Sequence, residues 1–504
     1  MTPQLLRIEE PKLLFGHRQS VEDPRDGLTL FGPLDAGKPF GIRAGVIGTR
    51  DGLRRFKNWV KQIQVPSTGK LSSPARPVYP GFEAAFGIPW VPEPATEIEI
   101  PGDELYQAIH LDDQHLRVYK TVDLYASRIV DSLKKDDVAV DVWFIVIPDD
   151  VYKYGRPMSM VESDKRIKAV NRLSSSYAKK LLTQASLFVE DHVAAKPYHY
   201  EVHFHNQLKA RLLEYNAPTQ IVRESTIAYR EIVDSLGNPT RDLEQQESAI
   251  AWSLSTTTFY KAGGRPWKLA AVRQGVCYIG LAFKQDQKAK DPRSACCAAQ
   301  MFLDSGDGVV FKGAVGPWFK PGRGDFHLSK SAARELVEKA ISSYTERVGQ
   351  PPSELFLHGK VRFNDEEWSG FRESAGRDTN LVGIRIRGDS LLKLFRQSEY
   401  PVLRGLAYVR DPRTAYLWTK GFVPRLQTYP GREVPLPLMV EVCRGETEIE
   451  VVLKDIMALT KLNYNACIYA DGPPVTLKFA DAVGEILTAG PLGIVPPLAF
   501  RYYI

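Results

Sequence analysis

Hydrophobic and polar positions change their period repeatedly along the 504-residue chain. Between residues 28 and 63 the pattern predicts two short strands around Phe40-Gly41-Ile42-Arg43-Ala44-Gly45-Val46-Ile47-Gly48. A helix from Thr49 to Ile63 follows, carrying Arg50, Arg54, Arg55, Lys57 and Lys61. A Pro/Ser/Gly stretch runs from Pro66 to Pro80, and Asp123 to Leu133 reads as helix. Val138 to Ile147 is an apolar, β-branched run stopped by Pro148, as a buried parallel strand should be. Strand and helix alternate here, which predicts an α/β sheet.

Ser163 to Glu190 is compatible with helix but crowded with Lys165, Arg166, Lys168, Arg172, Lys179 and Lys180, and Ser174-Ser175-Ser176 divides it. Gly275 to Phe283 opens a new apolar strand, placing a domain boundary near Arg265. Beyond it the pattern predicts a strand near Val309, a helix from Ser331 to Arg347, and strands at Leu355 to His358 and Leu381 to Arg387. The last long element is Pro474 to Asp481, running into a helix to Leu487. No internal repeat or long low-complexity tract breaks the sequence.

Composition narrows the class. With 43% hydrophobic and 25% charged residues the chain reads as soluble and globular, and no apolar run approaches the ~20 residues of a membrane-spanning helix. The first ten residues lack a secretory signal, which predicts a cytoplasmic protein. The five cysteines (Cys277, Cys296, Cys297, Cys443, Cys467) form no Cys-x-x-Cys pair, which argues against a disulfide framework or zinc ribbon. A net charge of +6 is mild, so nucleic-acid binding would have to come from clustered basic residues such as those on 50–61 and 165–180, although a solvated helix face explains each stretch as well.

One constellation carries chemistry. His205 and Lys209 are spaced one helical turn apart, so they share a face. Gln220 follows Pro218 at an expected helix start, where free N–H groups add to an anion site. Lys261 opens Lys261-Ala262-Gly263-Gly264-Arg265-Pro266-Trp267, whose glycines would let the backbone approach a ligand. Two lysines, an imidazolium and an amide donor suit a terminal phosphate bound by charge-assisted hydrogen bonds.

At these residues the sequence resembles the Argonaute family, specifically the MID and PIWI domains of short prokaryotic Argonautes. The resemblance extends through Tyr278-Ile279-Gly280, Leu355-Phe356-Leu357-His358-Gly359, Tyr400 to Gly405, Leu459 to Asn465 and Pro474 to Ala480. It implies a Rossmann-like MID domain followed by an RNase H-like PIWI domain: residues 1–130 as the N-terminal part of the MID lobe, 131–265 as the MID core, and 266–504 as PIWI. It also implies that His205, Lys209, Gln220 and Lys261 hold a guide's 5′ phosphate. The carboxylate of Ile504 is expected to assist through a bound Mg2+, since a hard divalent ion bridges carboxylate and phosphate oxygens.

Slicing members of that family carry acidic or histidine ligands for two metal ions. The matching positions here are Ala282, Gly359 and Asp481, so one ligand remains and cleavage by this chain is not expected, unless Asp286, Asp325 and His358 compensate. The length leaves no space for the N-terminal and PAZ lobes of long Argonautes. The implied role is a sensor in prokaryotic defence against plasmids or phage, loaded with a small guide RNA and pairing with single-stranded target DNA. Its implied partner is an APAZ-containing effector subunit (TIR, sirtuin-like or nuclease), with a higher oligomer on activation. The rivals are an RNase H-like guided nuclease with rearranged ligands and a nucleic-acid scaffold without guide specificity.

Weaker signals point nowhere firm. His199, His203 and His205 invite a metal reading but lack a carboxylate or cysteine at ligand spacing. Arg323-Gly324-Asp325 is a coincidental adhesion tripeptide. No Walker-type run occurs, and Gly41 to Gly48 lacks the acidic follow-up of a dinucleotide fold.

Overall fold

The computed structural model describes residues 4–35, 40–67, 73–135, 138–170, 172–183, 189–271, 273–285, 294–302, 308–320, 322, 324–389, 391–429, 431, 433–491 and 498–504. Its first half is built on a parallel sheet with the strand order Thr96–Glu99, Ala44–Gly48, Val142–Ile147, Thr219–Arg223. Every residue of Val142–Ile147 is buried, as its unbroken apolar run requires. Successive side chains serve opposite faces. Phe144 packs with Phe56 and Trp59 of the Arg50–Gln62 helix, while Trp143 and Ile145 join Val122 and Tyr125 of the Gln114–Lys135 helix.

The second half holds a mixed sheet of ten described strands in the order Gln4–Arg7, Leu406–Asp411, Thr414–Leu417, Leu438–Arg444, Asn380–Gly388, Glu354–Gly359, Val276–Gln285, Ala295–Phe302, Gly308–Gly316, Leu498–Ala499. Val276–Gln285 and Asn380–Gly388 each run parallel to Glu354–Gly359, and the remaining pairs are antiparallel. On one face Ile279, Leu281 and Leu357 bury against Leu336 and Val337 of the Lys330–Val348 helix. On the other, Tyr278, Phe356 and Val382 share a core with Leu453 and Ile456 of the Ile449–Leu459 helix and Val483 of the Ala480–Thr488 helix.

Several local expectations need correction. Of the two strands expected around 40–48, the described residues show one, at Ala44–Gly48. The start of this stretch is helical, in Pro24–Phe31, capped by Asp23 accepting from Arg25 N, with Pro24 pre-set at the first helical position. Ser163 to Glu190 is not one helix. Helix Ser175–Thr183 starts within the serine run, where Ser174 Oγ accepts from Tyr177 N as an N-cap and so sets the helix start there. The expected line at 130 falls inside the helix Gln114–Lys135, and the strands on either side of it belong to one sheet. Gln4–Arg7 departs further, adding to the second sheet beside Leu406–Val409. Asp286 and Arg323 lie outside the described residues.

Gly280 sits in the middle of the central strand, and a Cβ there would come within 1.9 Å of the Thr476 carbonyl oxygen. The Val475–Lys478 turn therefore packs directly on strand backbone. Gly280→Ala is expected to lower stability by roughly 1–3 kcal/mol, the usual cost of overpacking. Denaturant unfolding of the variant checks this, and an unchanged midpoint would contradict the packing.

Candidate functional site

The helix Phe204–Leu212 begins at His203, whose Nδ1 accepts from Asn206 N at 3.5 Å, so His203 serves as a cap. One turn in, Lys209 is 2% exposed and its Nζ donates to the main-chain oxygen of Ile504 at 2.6 Å. Lys261, also 2% exposed, is the last residue of the helix Glu247–Lys261, where the negative end of the helix dipole favours a cation. Its Nζ donates to the Thr219 carbonyl and to Gln220 Oε1, both at 2.8 Å. Lys209 reaches the same Thr219 oxygen at 3.5 Å. Three distant chain segments and the final residue thus converge on two ammonium groups.

Three details differ from the sequence reading. Gln220 lies on the strand Thr219–Arg223 rather than at a helix start, so its side-chain amide, and no helix N-terminus, faces the pocket. The pocket accordingly lies at the amino end of this strand, opposite the carboxyl ends where parallel α/β sheets usually take ligands. The glycines after Lys261 turn the chain rather than approach a ligand. Gly263 has φ 101° and a Cβ on Gly264 would strike the Phe259 ring at 2.4 Å. The third correction is electrostatic. Burial, then the Lys209 charge, pushes His205 down to about 3, so the imidazole is neutral in this state and not an imidazolium. Burial likewise holds Lys209 down to about 7, and burial with the Lys209 charge holds Lys261 well below the usual lysine range. The pocket is a place where positive charge is costly.

Sequence reasoning missed Thr219, whose main-chain oxygen joins both lysines, and Asn206, whose Oδ1 lies 3.0 Å from His205 Nδ1. A main-chain contact leaves no side-chain signal. Asn206 had one, as a polar residue at a helix position that the structure leaves 4% exposed.

The second candidate area surrounds Ala282, Gly359 and Asp481. Gly359 ends its strand, and Asp481 stands in the first turn of the Ala480–Thr488 helix, where both carboxylate oxygens accept from Lys360 at 2.9 and 2.8 Å. Lys360 directly follows Gly359 and was not anticipated. His358 is 1% exposed, bonded through Nδ1 to Thr476 Oγ1 at 2.9 Å and pushed down to about 3 by burial. It lies among Tyr278 and Phe356, on the strand face away from Leu357 and Gly359. Asp325 is engaged by His327, which also binds Glu367 at 2.8 Å and is raised by that carboxylate. Among the described residues no group of three His, Cys, Asp or Glu is placed to hold a metal ion.

A pH effect follows from Lys209. An unfolded lysine titrates near 10.4, so between about pH 7 and that value the unfolded chain binds the proton the folded chain gives up. Lys209 therefore adds stability as pH rises through this window, by up to about 1.4 kcal/mol per unit. Comparing thermal unfolding of wild type and Lys209→Met between about pH 7 and 8.5 should show the rise weakened in the variant. Parallel curves would contradict the buried-charge assignment.

No family profile matches the chain. In sequence it is 22% identical over 312 residues to the protein argonaute of Aquifex aeolicus (strain VF5), covering 60% of this chain and 38% of that protein. In fold it is similar to Clostridium butyricum Argonaute bound to a guide DNA and a 19-mer target DNA, with a TM-score of 0.61 at 15% identity over 98% of this chain and 54% of that one. It is similar also to Drosophila Piwi, with a TM-score of 0.56 at 13% identity over 99% of this chain and 56% of that one. The chain thus spans about two fifths of the curated relative's length and little more than half of these solved structures. Likeness in sequence and likeness in fold point to the same proteins, and the chain has an Argonaute-like fold in which a Rossmann-like MID unit is joined to an RNase H-like PIWI unit.

Proposed function

We propose that this protein is a guide-dependent nucleic-acid sensor that anchors the 5′ phosphate of a small guide RNA in the pocket of His205, Lys209, Gln220 and Lys261. The observation that carries the reading is the convergence of two buried ammonium groups with no Asp or Glu paired to either among the described residues. A phosphate would replace the oxygens of Thr219, Gln220 and Ile504 as the lysines' acceptor, and would restore their charge. The guide's bases would then pair with single-stranded target DNA, so that pairing reads sequence while the protein reads phosphate and backbone.

The Ile504 main-chain oxygen and Gln220 Oε1 are hard oxygen donors of the kind Mg2+ takes, so the donor set fits a cation admitted together with the phosphate. Where the chain ends at Ile504, that oxygen belongs to a carboxylate. Ile504 and Gln220 would hold the ion, which supplies charge to be shared with the guide phosphate.

Sensing without slicing is supported by Ala282 and Gly359 at two ligand positions and by the Lys360 ammonium on Asp481. The resemblance to short prokaryotic Argonautes supports a separate APAZ-containing effector subunit (TIR, sirtuin-like or nuclease), activated when target pairing shifts the complex towards its active, oligomeric form. The role is defence against plasmids or phage in the cytoplasm.

Replacing Lys209 and Lys261 together with Ala should weaken 5′-phosphorylated guide binding by on the order of 10²- to 10⁴-fold, the worth of two charge-assisted hydrogen bonds. Unchanged recovery of phosphorylated guides with the purified variant would sink the pocket assignment. Incubating the guide-loaded chain alone with complementary DNA and Mg2+ should leave the target intact. Cleavage that disappears in Asp481→Ala would favour the guided-nuclease reading instead.

A further inference from the structure

Asn206 stands beside the guide-end pocket, and the proposed function makes no use of it. Its amide has partners on both sides. Nδ2 lies 3.3 Å from Glu201 Oε2 and 3.4 Å from Glu485 Oε2, and Oδ1 lies 3.0 Å from His205 Nδ1. Carboxylates only accept, so the amide nitrogen must face them and the amide oxygen must face the imidazole. That oxygen also only accepts, which requires the hydrogen to sit on Nδ1. In the neutral ring Nε2 is then bare. It can accept from a phosphate monoanion, or take a proton from solvent and donate to the dianion, and neither route changes a covalent bond within the guide.

The arrangement reaches into the PIWI unit. Glu485 belongs to the Ala480–Thr488 helix, and its other oxygen accepts from Lys284 Nζ at 3.0 Å. Lys284 lies two positions beyond Ala282 on the central strand. A chain of polar contacts therefore runs Lys284, Glu485, Asn206, His205. The charged groups around the imidazole are Lys209 on its own helix, Lys261 from the Glu247–Lys261 helix and the neighbouring His203. Glu201, Glu485 and Lys284 act through Asn206, and Arg156 stands near His203.

We propose that Asn206 is a positioning residue for terminal-phosphate recognition, holding His205 with hydrogen on Nδ1 so that Nε2 alone meets the phosphate, with Glu485 and Lys284 tying this geometry to the PIWI unit. This inference rests on the guide-end reading above. It separates Asn206 from a merely structural buried amide, because its influence must pass through the protons of His205.

The test compares a 5′-phosphorylated RNA oligonucleotide with its 5′-hydroxyl twin, binding to wild type, N206A, N206D, H205F and H205F/N206A between about pH 6 and 8.5. In wild type the phosphate-to-hydroxyl affinity ratio should fall as pH rises. N206A should lower the ratio about tenfold, the scale of one hydrogen bond to a charged group, and flatten its pH dependence. N206D sets its second oxygen against Glu201 and Glu485, which favour the protonated acid, so it keeps both acceptor and donor and should retain the ratio. In the H205F background N206A should change nothing further. A wild type that binds both ends equally removes the guide-end reading and this inference with it. A discriminating wild type whose N206A variant keeps the same ratio and slope, or loses as much in H205F, overturns the role of Asn206 alone.

Discussion

Two lysine ammonium groups buried around one main-chain oxygen set the terms for the junction of the two sheets. Lys209 and Lys261 come from different helices and meet at Thr219, the first residue of the last parallel strand. Burying two like charges is expensive, and it is tolerated here because Ile504, Thr219 and Gln220 supply oxygen acceptors from three directions. The depressed affinities of both lysines for protons record the remaining cost.

The rest of the architecture holds those segments in place. Leu498–Ala499 pairs with Val309–Val310 at the edge of the large sheet, and the chain then turns through Phe500–Tyr502 to deliver Ile504 to Lys209. At its other end the chain straps both units. Gln4–Arg7 joins the large sheet, Leu13–Leu14 pairs with Lys268–Leu269, and Glu10 forms ion pairs with Arg404 and Lys461. Trp267, just beyond Lys261, donates its indole N–H to the Lys461 carbonyl and its own carbonyl accepts from Tyr464. The helix end bearing Lys261 is thus fixed against the PIWI unit, so movement between the units would alter the pocket.

The region around Asp481 has the opposite character. Lys360 and Asp481 neutralise each other at the surface, His358 is turned into the core, and Asp325 is engaged by His327. Among the described residues, the buried lysines at Thr219 have no carboxylate partner, whereas the charges around Asp481 and Asp325 are paired.

The hydrophobic pattern alone was enough to identify the α/β class, the buried Val142–Ile147 strand and the helices at Arg50–Gln62 and Lys330–Val348, because burial on one or both faces writes its period into the side chains. Residue type and spacing likewise singled out Lys209, Gln220 and Lys261, since lysines and an amide near a Gly-Gly turn are chemically unusual together. What the pattern could not decide was long-range. Nothing local places Ile504 against Lys209, puts Gln220 on a strand, or sends Gln4–Arg7 to a sheet formed some 400 residues later. The charge state of His205 was equally illegible, because it depends on burial, on Lys209 of its own helix and on Lys261 brought up by another segment. The sequence by itself determined which chemistry was available; the tertiary structure decided which groups are buried together, and burial sets whether each carries its charge.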